Sequence, residues 1–234
     1  MAKQRILLAA AQGRSRAAFR AMLRQEVAPA LLAALPSLEA ASLDLVDAAP
    51  AVPPWQRPEE PPPPPEPPCD AVFDLWGPPE ALAAAEAWLA GALPGLACAS
   101  VRVSETVEKD GLARPPGRPA PGVKFLSLLR FHADLPPPAA RRLWAHHAAL
   151  ALRVHVGMAR YVRDWVEEAS PGPSPVGPFQ GIAELHFPSQ EAMLTRWFDS
   201  EAGRAAILHD VGHFLAGATR LYTTEHVLKA PPGR

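Results

Sequence analysis

A histidine is the group best placed to do chemistry in this chain. The helix opened by Pro136-Pro137-Pro138 carries an apolar stripe through Ala139, Leu143, His147, Leu150 and Val154, which turns the His147 imidazole toward the sheet that the helix covers. An imidazole titrates near 6.5 and therefore serves as acid or base around neutral pH. Tyr161, on the next strand, supplies a hydroxyl and is the second catalytic candidate, while Trp144 and Trp165 supply stacking walls for a bound molecule. His186 is a further substrate-contact candidate. Its simpler reading is as one of four residues, with Glu184, Arg220 and His226, that satisfy one another across a seam. The same duality holds for His147 as a hydrogen-bonded core residue and for Tyr161 as core filler. His209, Asp210 and His213 form a His-Asp-x-x-His run with the look of metal ligands, but no closed ligand set accompanies it, and Cys69 and Cys98 are too few and too separated for zinc. Neither a metal nor a cofactor is expected.

The elements that must hold these residues are written twice. Leu23, Ala28, Leu32, Asp44 and Val46 recur about 120 residues later as Leu143, Ala148, Leu152, Asp164 and Val166, and Glu105, Val107 and Lys109 recur as Glu225, Val227 and Lys229. Asp74-Leu75 answers to Glu184-Leu185, and Glu80-Ala81-Leu82 to Glu191-Ala192-Met193, at shorter spacing, so the halves share element order and differ in loop length. A unit of this size is a domain-scale duplication rather than a solenoid repeat. In the second half, periodicity predicts strands over 123–131, 158–166, 181–187 and 218–227, with helices after Pro136 and over 189–198. The first half predicts strands 5–11, 38–46, 70–76 and 97–107 with helices 15–34 and 78–91. Each half is therefore expected to run βαββαβ.

Composition narrows the function classes. The 234 residues are 48% hydrophobic and 20% charged with a net charge of −1, ordinary for a globular chain and without the basic footprint of a nucleic-acid binder. No apolar run approaches the roughly 18 residues of a membrane span, and the short stretch Ile6 to Ala11 is too brief for a secretory signal, so no membrane partner and a cytoplasmic location are expected. The 30 prolines are concentrated. Residues 50–68 hold the densest run and predict an extended surface loop, and Arg114 to Pro121 reads as the connection between the repeats.

A βαββαβ unit covers one face of its sheet with helices and leaves the other needing a partner. Ala183, Leu185 and Phe187 make an apolar face, while Ile182, Glu184 and His186 make a mixed one suited to a sheet-to-sheet seam. The expected fold is thus α+β: two ferredoxin-like βαββαβ repeats, a degenerate one over 1–112 and a second over 122–230, packed face to face as a single-chain pseudo-dimer. The internal partner makes an obligate dimer unnecessary and leaves further homo-oligomerisation to other surfaces.

The stretches Val123-Lys124-Phe125-Leu126, Leu143 to Leu150 and Met158 to Val162 resemble the EthD family of the dimeric α+β barrel superfamily. Gly181 to Phe187, Glu191-Ala192-Met193 and Thr224 to Val227 fit that family's second half, so the resemblance covers about residues 122–229, with Ala149 where the family commonly has proline. In the first half Val27 stands at the place of His147, Arg24 at that of Trp144 and Ala41 at that of Tyr161. The resemblance implies a pocket for a small hydrophobic, aromatic or polyketide-like molecule. It also implies chemistry such as cofactor-independent oxygenation, cyclisation, decarboxylation or dehydration, with His147 as acid or base. The alternative is a non-catalytic ligand-binding or stress-related barrel.

Overall fold

Strand alternation decides the architecture. The computed structural model describes residues 2–10, 15–50, 53–55, 66–170 and 174–230. The strands are β1 Ala2–Ala9, β2 Ala40–Asp47, β3 Ala71–Gly77, β4 Ala97–Asp110, β5 Val123–Phe131, β6 Arg160–Ala169, β7 Gly181–Phe187 and β8 Leu215–Lys229. Every ladder between neighbours is antiparallel, and the order β1-β3-β2-β8-β5-β7-β6-β4 closes on itself through the β1–β4 ladder. Along β1, Ile6 and Leu8 pack outward under helices, whereas Leu7 joins an apolar layer inside the barrel with Val72, Leu126, Leu128, Ile182 and Leu221. Lys3 and Arg5 share the inward parity of Leu7 and enter a layer of buried charge.

That closure corrects the expected fold class. Two ferredoxin-like repeats packed as a pseudo-dimer, with a face-to-face seam between separate sheets, are not what the chain builds; it builds one closed eight-stranded antiparallel barrel. The halves meet edge to edge, through the ladders β2–β8 (Asp44 opposite Glu225) and β4–β6 (Glu105 opposite Asp164). Backbone hydrogen bonds close the junction at both edges, and inward side chains of both halves pack together inside the barrel. Alternation identified the inward residues Ile182, Glu184 and His186 correctly as one face, but a two-face pattern does not say whether that face meets another sheet or curls around on itself.

Helices cover the outside. The first half carries α1 Arg16–Met22, a π turn Leu23–Val27 and α2 Ala28–Ala34, followed by α3 Pro79–Ala92. The π turn sits just before Pro29, whose missing N–H interrupts the ladder, and Ala28 N–H reaches back to the Leu23 carbonyl. The second half carries α4 Pro137–Val154, α5 Gln190–Thr195 and α6 Glu201–Val211. In the first half Phe19, Leu23, Val27, Leu31, Leu43 and Phe73 fill the space between helices and sheet. Arg114 to Pro121 does not hang free: Gly117 and Ala120 N–H donate to the Val227 and Glu225 carbonyls of β8 at 3.1 and 2.7 Å. Of the proline-rich stretch expected over 50–68, residues 51–52 and 56–65 lie outside the described residues. Among the described residues no helix is long and apolar enough to cross a membrane.

Candidate functional site

Between α4, α6 and the outer face of β5, β7 and β8 lies a cavity of about 120 Å³. Its lining is mostly aromatic and aliphatic, including Phe125, Trp144, Tyr161, Trp197 and Phe214, with His147, His155, Ser127 and Arg220 as its polar members. Phe125 holds the floor together, edge-on to Trp197 at 4.9 Å and to Tyr222 at 5.2 Å.

His147 enters because α4 presents Trp144, His147, Ala148 and Ala151 on its buried face. Its partner comes from a helix that periodicity did not identify. Ser200 caps α6 by accepting from Gly203 N–H at 3.0 Å. Gly203 lets α6 approach α4 closely, since a Cβ there would lie 3.0 Å from Val154 Cγ1. At the far end of α6, Asp210 reaches His147: Nδ1–H donates to Oδ2 at 2.7 Å. A carboxylate accepts only, so this bond fixes the tautomer and leaves Nε2 as the ring's remaining proton acceptor.

Burial sets the protonation states. It lowers the His147 pKa below the ordinary 6.5, although the hydrogen bond and charge of Asp210 work in the opposite direction. His155, which donates Nδ1–H to the Trp197 carbonyl at 2.7 Å, is pushed down to about 4, again chiefly by burial. Both imidazoles are neutral at pH 7. Burial raises the Tyr161 phenol well above its ordinary value, with Arg163 and a hydrogen bond from Trp144 opposing. Tyr161 is thus a hydrogen-bond donor at any physiological pH, not a base.

The structure brings His147, Tyr161 and Trp144 around one cavity. Trp165 lies behind it, stacked on Phe131 at 5.1 Å and 6.4 Å from Trp144, with the Arg141 guanidinium 4.5 Å over its ring. His186 is inside the barrel, donating Nε2–H to the Pro121 carbonyl at 3.0 Å and standing 3.9 Å from Glu225. Among the described residues no group of three or more potential metal ligands forms, and His209 and His213 pair with each other at the surface. Sequence reasoning missed Asp210 as the partner of His147, and Trp55, which reaches the cavity from the first half, donating Nε1–H to Tyr222 Oη at 2.8 Å beneath the Arg220 guanidinium. The signal for Asp210 was Ser200 followed by Glu201, a helix start, with Ile207 and Val211 at helical spacing beyond it.

Residues 132–218 match the family model of the EthD domain. The matched residues include both His147 and Asp210, together with Trp144, Tyr161 and Trp197, whereas Trp55, Phe125, Ser127 and Arg220 lie outside the match. Solved structures share the overall fold at low identity. An anthrone oxidase-like protein superposes with a TM-score of 0.64 at 12% identity, over 98% of this chain and 94% of its own. A protein named as a monooxygenase from Fusobacterium nucleatum subsp. nucleatum gives 0.52 at 9%, over 97% and 92%. A mutant chlorite dismutase from Candidatus Nitrospira defluvii gives 0.52 at 10%, over 97% and 92%. At these identities the likeness concerns the fold alone. No curated protein matches the chain.

Proposed function

We propose that the EthD segment binds a small hydrophobic, ring-bearing molecule and moves a proton on it, with His147 as the base, in a cofactor-independent oxygenation, cyclisation, decarboxylation or dehydration. One observation carries this reading: His147 lines an apolar cavity with Nδ1 held by Asp210 at 2.7 Å. A neutral imidazole in that setting accepts a proton at Nε2, and the imidazolium so formed lies against the carboxylate of Asp210, which is partly open to solvent and so partly screened. Tyr161, kept protonated by burial and already accepting from Trp144, has its own O–H to offer to a developing oxyanion. The presence of an EthD segment, and the names of proteins with this fold, agree with a small-molecule enzyme. On this reading residues 1–112 act as scaffold and 122–230 carry the site.

The test is His147→Ala assayed for two quantities on one preparation. A panel of phenolic and enolisable ring compounds, followed by oxygen uptake and product mass, is expected to show turnover that falls about 10²- to 10⁴-fold in the variant, the usual contribution of a general acid or base. Unfolding should change little. An unaltered rate per folded molecule with a stability loss of roughly 1 to 3 kcal/mol would make the pair structural and the chain a binding barrel. Val27→Ala, at the place of His147 in the other half, should disturb packing only.

A further inference from the structure

The cavity holds a second imidazole, and the hydrogen bond at one of its nitrogens decides what the other can do. His155 closes the C-terminus of α4, where its backbone N–H donates to the Ala151 carbonyl at 2.9 Å. Its side chain is buried, edge-on to Trp197 with ring centres 5.8 Å apart and 5.5 Å from the Phe198 ring centre. Nδ1 stands 2.7 Å from the Trp197 carbonyl oxygen. A carbonyl only accepts, so the proton is on Nδ1, and a ring turned over would set a carbon against that oxygen and lose the bond. Burial pushes the ring down to about 4, so at pH 7 it is neutral and Nε2 carries a lone pair.

Among the described residues nothing uses that lone pair. Tying α4 to the turn after α5 takes the Nδ1–H alone. Nε2 makes no hydrogen bond there, yet it is not sealed in protein, and the ring borders the cavity that His147 lines. His147, with Nδ1 on Asp210, presents its own Nε2 in the same state. Both imidazoles are thus acceptors, and a ligand satisfies both only by bringing two donors. An acceptor in an apolar wall selects more sharply than an apolar contact, because a ligand without a donor displaces its water and leaves it unpaired. The cavity is partly open to solvent, so this selection is milder than in a closed site.

We propose that His155 is a specificity residue of this cavity: its Nε2 accepts a hydrogen bond from a hydroxyl of the ligand, so the ring-bearing molecule carries that hydroxyl in addition to the group that faces His147. This rests on the cavity being a ligand site, as above, but not on His147 doing chemistry. Calorimetric titration of the full chain, without oxygen, with the dihydroxybenzenes, their monomethyl ethers and their dimethyl ethers tests it, since methylation removes one donor at a time and keeps the ring. At least one diol is expected to bind roughly tenfold more tightly than its monomethyl ether, the worth of one hydrogen bond, and that ether more tightly than the dimethyl ether. His155→Leu should bring diol and monomethyl ether together, and His155→Gln, whose Oε1 accepts in place of Nε2, should keep part of the difference. No preference for any diol over its own monomethyl ether, no binding of any diol, or the full preference surviving in His155→Leu would each overturn the proposal. Should His155→Leu fail to fold, nitrogen NMR of the unaltered protein decides: the His155 Nε2 resonance should move with the diol and stay with the dimethyl ether, and an Nε2 unmoved by the diol sinks the assignment. The two readings fail separately. A diol preference lost in His155→Leu alongside unchanged turnover in His147→Ala defeats proton transfer and leaves this one standing, and turnover lost in His147→Ala with no diol preference does the reverse.

Discussion

At the scale of single residues, the dyad has a direction that can be measured. Asp210 raises the His147 pKa and burial lowers it, with burial the larger influence. Asp210→Asn removes the opposing influence, so the imidazole should titrate at still lower pH and the acid limb of the rate profile should move down with it. Turnover at neutral pH should fall as well, because the imidazolium loses its counter-ion and Nδ1 loses the partner that fixes its tautomer. Proton NMR of the His147 ring across pH 4 to 8 reads the first effect directly, and an unmoved titration would mean that the two side chains do not interact in solution. His147 was legible in the sequence because it sits on a helical stripe, a local pattern. Asp210 was not, because its bond spans 63 residues between two helices whose relative placement depends on Gly203 and Val154 rather than on any periodicity.

At the scale of elements, Trp144 seats against β7 because that strand lacks a side chain where the helix needs room. A Cβ at Gly181 of β7 would lie 2.7 Å from Trp144 Cζ3 and 3.3 Å from Phe131 Cζ. Both rings are buried, so neither can swing into solvent. Gly181→Ala is therefore expected to cost about 1 to 3 kcal/mol through overpacking and to shift Trp144 off the Tyr161 hydroxyl. Gly91 in α3 is the control, because a methyl added there would meet nothing within 4 Å: Gly91→Ala should stabilise by up to about 1 kcal/mol. Urea titration of the two variants compares them, and a neutral Gly181→Ala would show that Trp144 does not rest on the strand as described. The strands around this site lay close to where alternation placed them, since β5 and β7 run Val123–Phe131 and Gly181–Phe187. The reach of Trp55 into the cavity was invisible, because a tryptophan in a proline-rich stretch carries no period at all.

At the scale of the whole molecule, carboxylates from the two halves come to one place. The residues that recur in sequence, Asp44 with Asp164, Asp74 with Glu184 and Glu105 with Glu225, meet inside the barrel around Lys3, Arg5, Lys124 and Arg160. Lys124 alone stands within 3.3 Å of four of those carboxylates: Asp44 at 2.8, Glu225 at 3.1, Asp74 at 3.2 and Glu184 at 3.3 Å. A network of this kind costs much desolvation, and its value lies in the penalty for breaking it rather than in net stability. Acid should break the fold by a different route first. Burial holds His155 and His186 at about 4 and His147 below 6.5, so the unfolded chain binds more protons than the native one between those limits, and stability is lost as pH falls through that window. Asp44 acts oppositely: burial pushes it up to about 7, so the native state holds its proton more tightly and gains as pH falls toward 4. Two imidazoles moved down to about 4 outweigh one carboxyl moved up to about 7, and His147 adds to their side. Urea midpoints at pH 7.5, 5.5 and 4.5 should therefore fall in that order with an unchanged slope against denaturant. A midpoint that held steady or rose toward pH 4.5 would mean that Asp44 outweighs the imidazoles or that the imidazoles are charged in the native state, and the His147 ring titration decides between the two: a charged ring there takes away the neutral base.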